Sequence, residues 1–496
     1  MAIVESRRGV AVASNPLASA AAIEVLAAGG SVVDAAIAGA ATLCVVLPQK
    51  CSLGGDGFAL VHEGGATAAL NASGAAPALA TLDRFADGIP DRGPLSSTVP
   101  AIVAGWGDLH ARYGRLRWSK LFERAIAHAQ NVPVSRELAA DITLLGDVIA
   151  RNAACEAQFG RLRRDDPLRQ PALAKTLEGI ATHGARWFYD GPPARQIAAA
   201  SHALGGLLRA EDFARVETAF VAPLAARYNG LEVLVPPPNS FGALLLLQLA
   251  MLRDAPREED SVDRLARWID VNRRAFEIAA ARIADPEHVA PIDIEALARE
   301  GGGGARGSGD LGAGTVTLSV ADHTGAGIVM MLSVFRGFGS GVLDAASGVV
   351  LNNRLRAFAL DARLPNCLAP GKRPAHTLSP ALVLRDGALR YLAASPGGVG
   401  QTVTLTQVLS HLVDRNLSLD EALALPRWSR EAEGDPIIET SFGASMIEQL
   451  GSRGIKAKTG AARAVYFGSA EVIERTADGR LRAAADPRRE GCAIAL

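Results

Sequence analysis

Cysteine is scarce in this 496-residue chain: Cys44, Cys51, Cys155, Cys367 and Cys492 are odd in number and widely scattered. That usage suits a reducing compartment, and no spacing among them resembles a metal-ligand motif. An excess of charge is missing as well. Lys plus Arg number 51 against 52 Asp plus Glu, for a net charge of -1, and no long run of either sign occurs. This balance argues against nucleic acid and against an anionic membrane as partner. Long apolar runs are also lacking. No stretch reaches about 18 residues, and the opening MAIVESRRGVAVASNP has no signal-peptide apolar segment. No membrane association and a cytoplasmic location are therefore expected, and the sequons at Asn71 and Asn416 are read as chance matches. What the chain does have is apolar content, 49% of residues. That is ample for a large core, in one big α/β unit or two layered ones.

The first segment alternates alanine-rich helices with short apolar runs. PLASAAAIEVLAAGG reads as a helix closed by Gly29 or Gly30 in the left-handed cap position. SVVDAAIAGAATLCVVLPQ reads as a second helix with Ser31 as N-cap and Asp34 three residues on. Both are apolar nearly all round, as buried helices are. SLGGDGFALVHEGG gives a glycine turn, a strand and another turn. From Thr98 to roughly Ala214 the pattern is helical, with amphipathic stretches such as WSKLFERAIAHAQ. LEVLVPPPNSFGALLLLQLAML then gives a strand, a proline turn and an apolar helix starting near Ser240. A charged helical stretch, roughly Ser261 to Arg299, leads to EGGGGARGSGDLGAG. Residues 301–314 have too little apolar surface to order themselves and read as a flexible link. A phosphate cradle would need a strand before and a helix after, and here the order is reversed.

Beyond the link the pattern turns β-rich. In TVTLSVA, Thr315, Thr317 and Ser319 share one face and Val316, Leu318 and Val320 the other. DHTGAG is a turn and IVMMLSVF a second strand, so a hairpin brings Ser333 opposite Thr315 to within one residue of register. Two further strands join at Asp386-Gly387, and a helix opens near GQTVTLTQVLSHLVDRN. A threonine hydroxyl is a weak nucleophile unless a base takes its proton. If threonine begins a chain, its own α-amine, with a pKa of about 7.7–8.0, is that base. Scission of Gly314–Thr315 would create it. On these residues alone Thr315 reads more readily as a β-branched strand starter after a loop.

The motifs PLASAAAIEVLAAGGSVVDAAIAGAATLCVVLPQ, SLGGDGFALVHEGG, VPAIVAGWGDLHARYGRL, FGSGVLDAASGVVLNNR, LAPGKRPAHTLSPALV, SPGGVGQTVTLTQVL, ALALPRW and AADPRREG stand in this order along nearly the whole chain. The set resembles the γ-glutamyltransferase family of N-terminal-nucleophile hydrolases. The resemblance implies an α+β fold, a four-layer αββα sandwich. It also implies autocatalytic cleavage into a large subunit, residues 1–314, and a small subunit, residues 315–496, that stay together. Thr315 matches the family's nucleophile and Ser333 the hydroxyl residue that hydrogen-bonds it. Gly397 and Gly398 match the backbone N–H pair of the oxyanion hole. No metal or organic cofactor is implied, and a homodimer is compatible with the pattern.

Several positions depart from the glutamate-specific members. The arginine that holds the substrate α-carboxylate is matched by Leu82. An asparagine after the second strand is matched by Phe335, and the acidic anchor of the α-ammonium by Ala357. The paired serines of the pocket are matched by His376 and Thr377. Arg354 takes the place of a pocket glutamine and is either a carboxylate grip or a structural arginine. His376 is either a polar pocket wall or a donor behind it. The segment GFGSG…NNR…LAPGKRPAHTL looks closer to the divergent branch that includes oxamate amidohydrolase, which lacks the glutamate anchors. The expected activity is hydrolysis, favoured over transfer, of the amide bond of a small carboxylate-bearing substrate. The alternatives are a γ-glutamyl transferase or hydrolase with a rebuilt pocket, and a non-catalytic member acting as a binding protein.

Overall fold

Two seven-stranded antiparallel sheets lie face to face at the centre of the computed structural model, which describes residues 3–256, 262–280, 282–300, 314–431 and 434–496. The first sheet runs, edge to edge, Val4–Ser6, Leu481–Ala485, Glu471–Arg475, Ala388–Ala394, Ala381–Arg385, Leu231–Val235, Leu224–Tyr228. The second runs Cys492–Ala495, Gly9–Ala13, Gly314–Asp322, Gly327–Phe335, Asp56–Glu63, Ala66–Ala72, Ala219–Val221. Between them sits an apolar layer that includes Val10, Phe58, Leu60, Val329 and Met331 from one sheet and Leu234, Leu382, Leu392 and Ile473 from the other.

Helices cover both outer faces. Pro16–Ala27 and Val32–Val46 pack on the second sheet, and Gly242–Leu252 and Gly400–Val413 on the first, with Val262–Ala280 packed against Gly242–Leu252. The result is the expected αββα sandwich. Local rules explain the boundaries. The helix Pro16–Ala27 is followed by Gly29 at φ 89°, the left-handed residue expected there. Ser31 and Asp34 form a reciprocal capping box at the start of Val32–Val46. Every residue of that helix is buried, and Gly39 is needed where it meets the Gly314–Asp322 strand: a Cβ there would lie 2.9 Å from Leu318 Cδ2 and 3.1 Å from Ala18 O. Asp386 and Gly387, both at positive φ, turn the Ala381–Arg385 strand into Ala388–Ala394.

Some expectations need adjustment. The stretch 261–299 is not one helix: Val262–Ala280 and Ile294–Arg299 are separated by an irregular stretch containing a short 3-10 turn, Pro286–His288. The apolar helix starts at Gly242, after Ser240 Oγ accepts the Gly242 N–H. The alternating strand Gly314–Asp322 is buried on both faces, because its polar face looks into the space between the sheets rather than at solvent. The glycine-rich link lies outside the described residues except for Gly314.

Candidate active site

Antiparallel pairing lines up three polar side chains across three neighbouring strands. Thr315 pairs with Ser333, and Ser333 on its other side pairs with Asp56. All three are buried. The register predicted from the hairpin is the one observed. A bulge interrupts it between Gly314 and Thr315, so that Gly314 faces Phe335 while Thr315 faces Ser333. Thr315 Oγ1 lies 3.4 Å from Ser333 Oγ. Ser333 Oγ is 2.6 Å from the carbonyl oxygen of Gly314 and accepts the Phe335 N–H at 2.8 Å. Phe335 reaches that position at φ 79°, a left-handed conformation that costs a non-glycine residue about 1–3 kcal/mol.

Arg354 closes the group. Its backbone is held by Asn352, whose side-chain oxygen accepts from Arg354 N and Thr98 N and whose amide donates to the carbonyls of Gly54 and Thr98. The guanidinium is fully buried. Nη2 donates to Ser333 Oγ at 3.1 Å, Nε lies 3.5 Å from Asp56 Oδ2, and the group sits 4.3 Å from the centre of the Phe335 ring. Its Nη1 has no hydrogen-bond acceptor among the described residues. Burial pulls the guanidinium down to about 10, and Asp56 opposes the fall. Asp56 Oδ1 accepts the Gly74 N–H at 2.8 Å, and Oδ2 lies 3.4 Å from His376 Nε2.

His376 lies behind Asp56 and is fully buried. Leu378 N–H points at its Nδ1 at 3.3 Å, which leaves the proton on Nε2, facing Asp56. Burial, then the neighbouring Arg354, lower its pKa to about 4, so the ring is neutral at ordinary pH. Thr377, next to it, is buried. Phe335, matched to the asparagine of the glutamate-specific members, supports the guanidinium with its ring and Ser333 with its N–H. Leu82 is the most exposed of the replaced anchors, at 38%.

Gly397 and Gly398 take φ values of 136° and 57°, backbone that side chains rarely adopt. Neither of their N–H groups finds an acceptor among the described residues. The preceding strand passes Leu389 and Leu392 near Gly327 and pairs Ala394 with Glu471, and Glu471 bonds Thr317 Oγ1. The glycine turn thus continues toward the Thr315 end of the sandwich. Glu471, which the sequence patterns do not single out, also accepts from Ser14 Oγ at 2.9 Å. Its burial raises the carboxyl to about 8, against the pull of those two hydroxyls. Asp56 was equally unremarked, although an acid at the start of an apolar strand in GGDGFALV was the available signal. No group of three or more His, Cys, Asp or Glu that could hold a metal ion occurs among the described residues.

A sequence profile described as gamma-glutamyltranspeptidase matches residues 18–496. An oxamate amidohydrolase proenzyme of Klebsiella pneumoniae is 33% identical, over 98% of each chain. A glutathione hydrolase proenzyme of Escherichia coli is 29% identical, over 98% of this chain and 91% of its own. Among solved structures, a cephalosporin acylase from Bacillus halodurans superposes with a TM-score of 0.93 at 29% identity, covering 100% of this chain and 97% of that one.

Proposed function

The chain belongs to the γ-glutamyltranspeptidase family of N-terminal-nucleophile hydrolases, enzymes of amide hydrolysis and acyl transfer, and from that premise we propose that it is a threonine amidohydrolase for a small substrate carrying a carboxylate beside the scissile amide. Cleavage before Thr315 yields a large subunit, 1–314, and a small subunit, 315–496. Thr315 Oγ1 then attacks the substrate carbonyl, its α-amine takes the proton and passes it to the leaving nitrogen, and the N–H groups of Gly397 and Gly398 receive the oxyanion. Water releases the acyl group.

The observation that carries the substrate class is Arg354. A buried N–H without an acceptor costs about 1–3 kcal/mol, and a ligand carboxylate at Nη1 would offset that while pairing with the charge. The positions that would anchor an amino-acid end are Leu82, Ala357 and Phe335, none of which offers a charge to an ammonium group. An oxamate-like amide has the one carboxylate that this arrangement accommodates, in keeping with the 33% relative's name.

Turnover of oxamate and of γ-glutamyl-p-nitroanilide separates this reading from its rival. Ammonia release from oxamate with little nitroaniline is expected, and robust nitroaniline release overturns the assignment. On a denaturing gel the active protein runs as pieces of roughly 33 and 19 kDa. Thr315→Ala stays full length and loses turnover; an active Thr315→Ala enzyme would disprove the nucleophile.

A further inference from the structure

We propose that the buried pair Asp56–Arg354 acts first in maturation, as a positioning device that directs the Ser333 hydroxyl onto the carbonyl of the bond to be cut. The proposal rests on the reading that the chain is cleaved before Thr315.

The hydrogen bonds around Ser333 Oγ determine where its proton goes. Phe335 N–H at 2.8 Å and Arg354 Nη2 at 3.1 Å can only donate. They occupy the two lone pairs of the hydroxyl. Its single proton is left for the one pure acceptor in reach, the Gly314 carbonyl oxygen at 2.6 Å. Thr315 Oγ1, at the longer distance of 3.4 Å, therefore finds no free lone pair on Ser333 and is not held by it. Without Arg354 the hydroxyl would be free to turn its proton toward Thr315 Oγ1, which would blunt the nucleophile and leave the carbonyl unpolarised. A charged donor also polarises the hydroxyl it bonds, strengthening the next link in the chain. Asp56 holds the guanidinium from behind, and its own other oxygen is tied to Gly74 N–H. The charges compensate within the sandwich, and His376 adds none.

The step this favours balances as follows. Thr315 Oγ bonds to the Gly314 carbonyl carbon while the oxygen of that carbonyl gathers negative charge under Ser333. The C–N bond to Thr315 then breaks, the hydroxyl proton ends on the Thr315 nitrogen, and an ester remains. Water adds to the ester carbon, leaving a carboxyl group on Gly314 and returning a proton to Thr315 Oγ. Ser333 touches the reacting oxygen and is catalytic in this step; Arg354 and Asp56 act through it. Removing a donor to a developing oxyanion slows comparable reactions about 100- to 1,000-fold, so losing the charge behind that donor is expected to slow this one at least about tenfold.

The test follows conversion of newly synthesised full-length protein into two bands over time. The informative variant is the double change Asp56→Asn/Arg354→Gln. It removes both charges together, with Asp56→Asn isosteric and Arg354→Gln somewhat shorter, and leaves no lone buried charge to unfold the protein. It is expected to melt near the wild-type temperature and to mature at least about tenfold more slowly. Arg354→Lys, which keeps a charged donor, should mature at an intermediate rate. Wild-type maturation of the double variant overturns the proposal. So does Arg354→Lys maturing as slowly as Arg354→Met while both are folded, since charge would then be irrelevant. Failure of the wild-type protein to be cut at all would instead refute the reading on which the proposal stands.

Discussion

Glu471 shows how much one buried side chain can report. It lies on the first sheet, yet its carboxyl reaches Ser14 and Thr317 on or beside the second, the latter two residues from Thr315. Burial raises its pKa from 4.5 to about 8. The folded protein therefore keeps a proton that the unfolded chain releases near 4.5. Stability falls as pH rises from about 4.5 to about 8 and is flat beyond, a loss of the order of a few kcal/mol. Glu471→Gln carries no such proton. Its melting temperature should match wild type near pH 5 and exceed it at pH 8, as read by thermal melts across pH. A constant difference at all pH values would show that the carboxyl does not hold its proton.

Among the elements, the Val32–Val46 helix is the most constrained. Its capping box was readable from Ser31 and Asp34, but the second duty of Asp34 was not. The same carboxyl oxygen that accepts Ser31 N–H at 3.0 Å also accepts the N–H groups of Arg115 and Leu116, at 2.8 and 3.0 Å. Asp34→Ala strands three backbone donors, the buried Ser31 N–H and the part-buried N–H groups of Arg115 and Leu116, each costing about 1 kcal/mol. Chemical denaturation should show a loss of about 3 kcal/mol or more, against about 1 for Ser31→Ala, which removes only the cap bond to Asp34 N–H. Equal losses would mean that the 115–116 turn is not anchored by this carboxylate. The hairpin behaves differently. Its register was legible because a short turn and a polar face of period two leave little choice, and pairing of Thr315 with Ser333 follows.

At the scale of the whole molecule, both sheets are woven from the two sides of the Gly314–Thr315 bond. In the second sheet, Gly9–Ala13 lies between Cys492–Ala495 and Gly314–Asp322, and Gly327–Phe335 pairs with Asp56–Glu63. In the first, Val4–Ser6 pairs with Leu481–Ala485 and Leu231–Val235 with Ala381–Arg385. Five strand pairings and a shared apolar layer would hold the pieces after a cut. The cleaved protein should elute in native size-exclusion chromatography without separation of its two chains, which part only in denaturant. Separate elution of a 19 kDa piece, about the mass expected for residues 315–496, would contradict this topology.

The sequence by itself determined whatever depends on neighbours along the chain: the capped helices, the tight Asp386-Gly387 turn, the hairpin that presents Thr315 to Ser333, and the ordered motifs that point to the family. Only the tertiary structure decided the charge arrangement around Thr315 and Ser333. Asp56 and His376 are 320 positions apart, and nothing periodic links them to Arg354. Their roles come from which strands lie side by side. A buried charge must find its partner in space because water is not there to solvate it. The same reason sets the Phe335 ring against Arg354 and leaves His376 a neutral donor to Asp56.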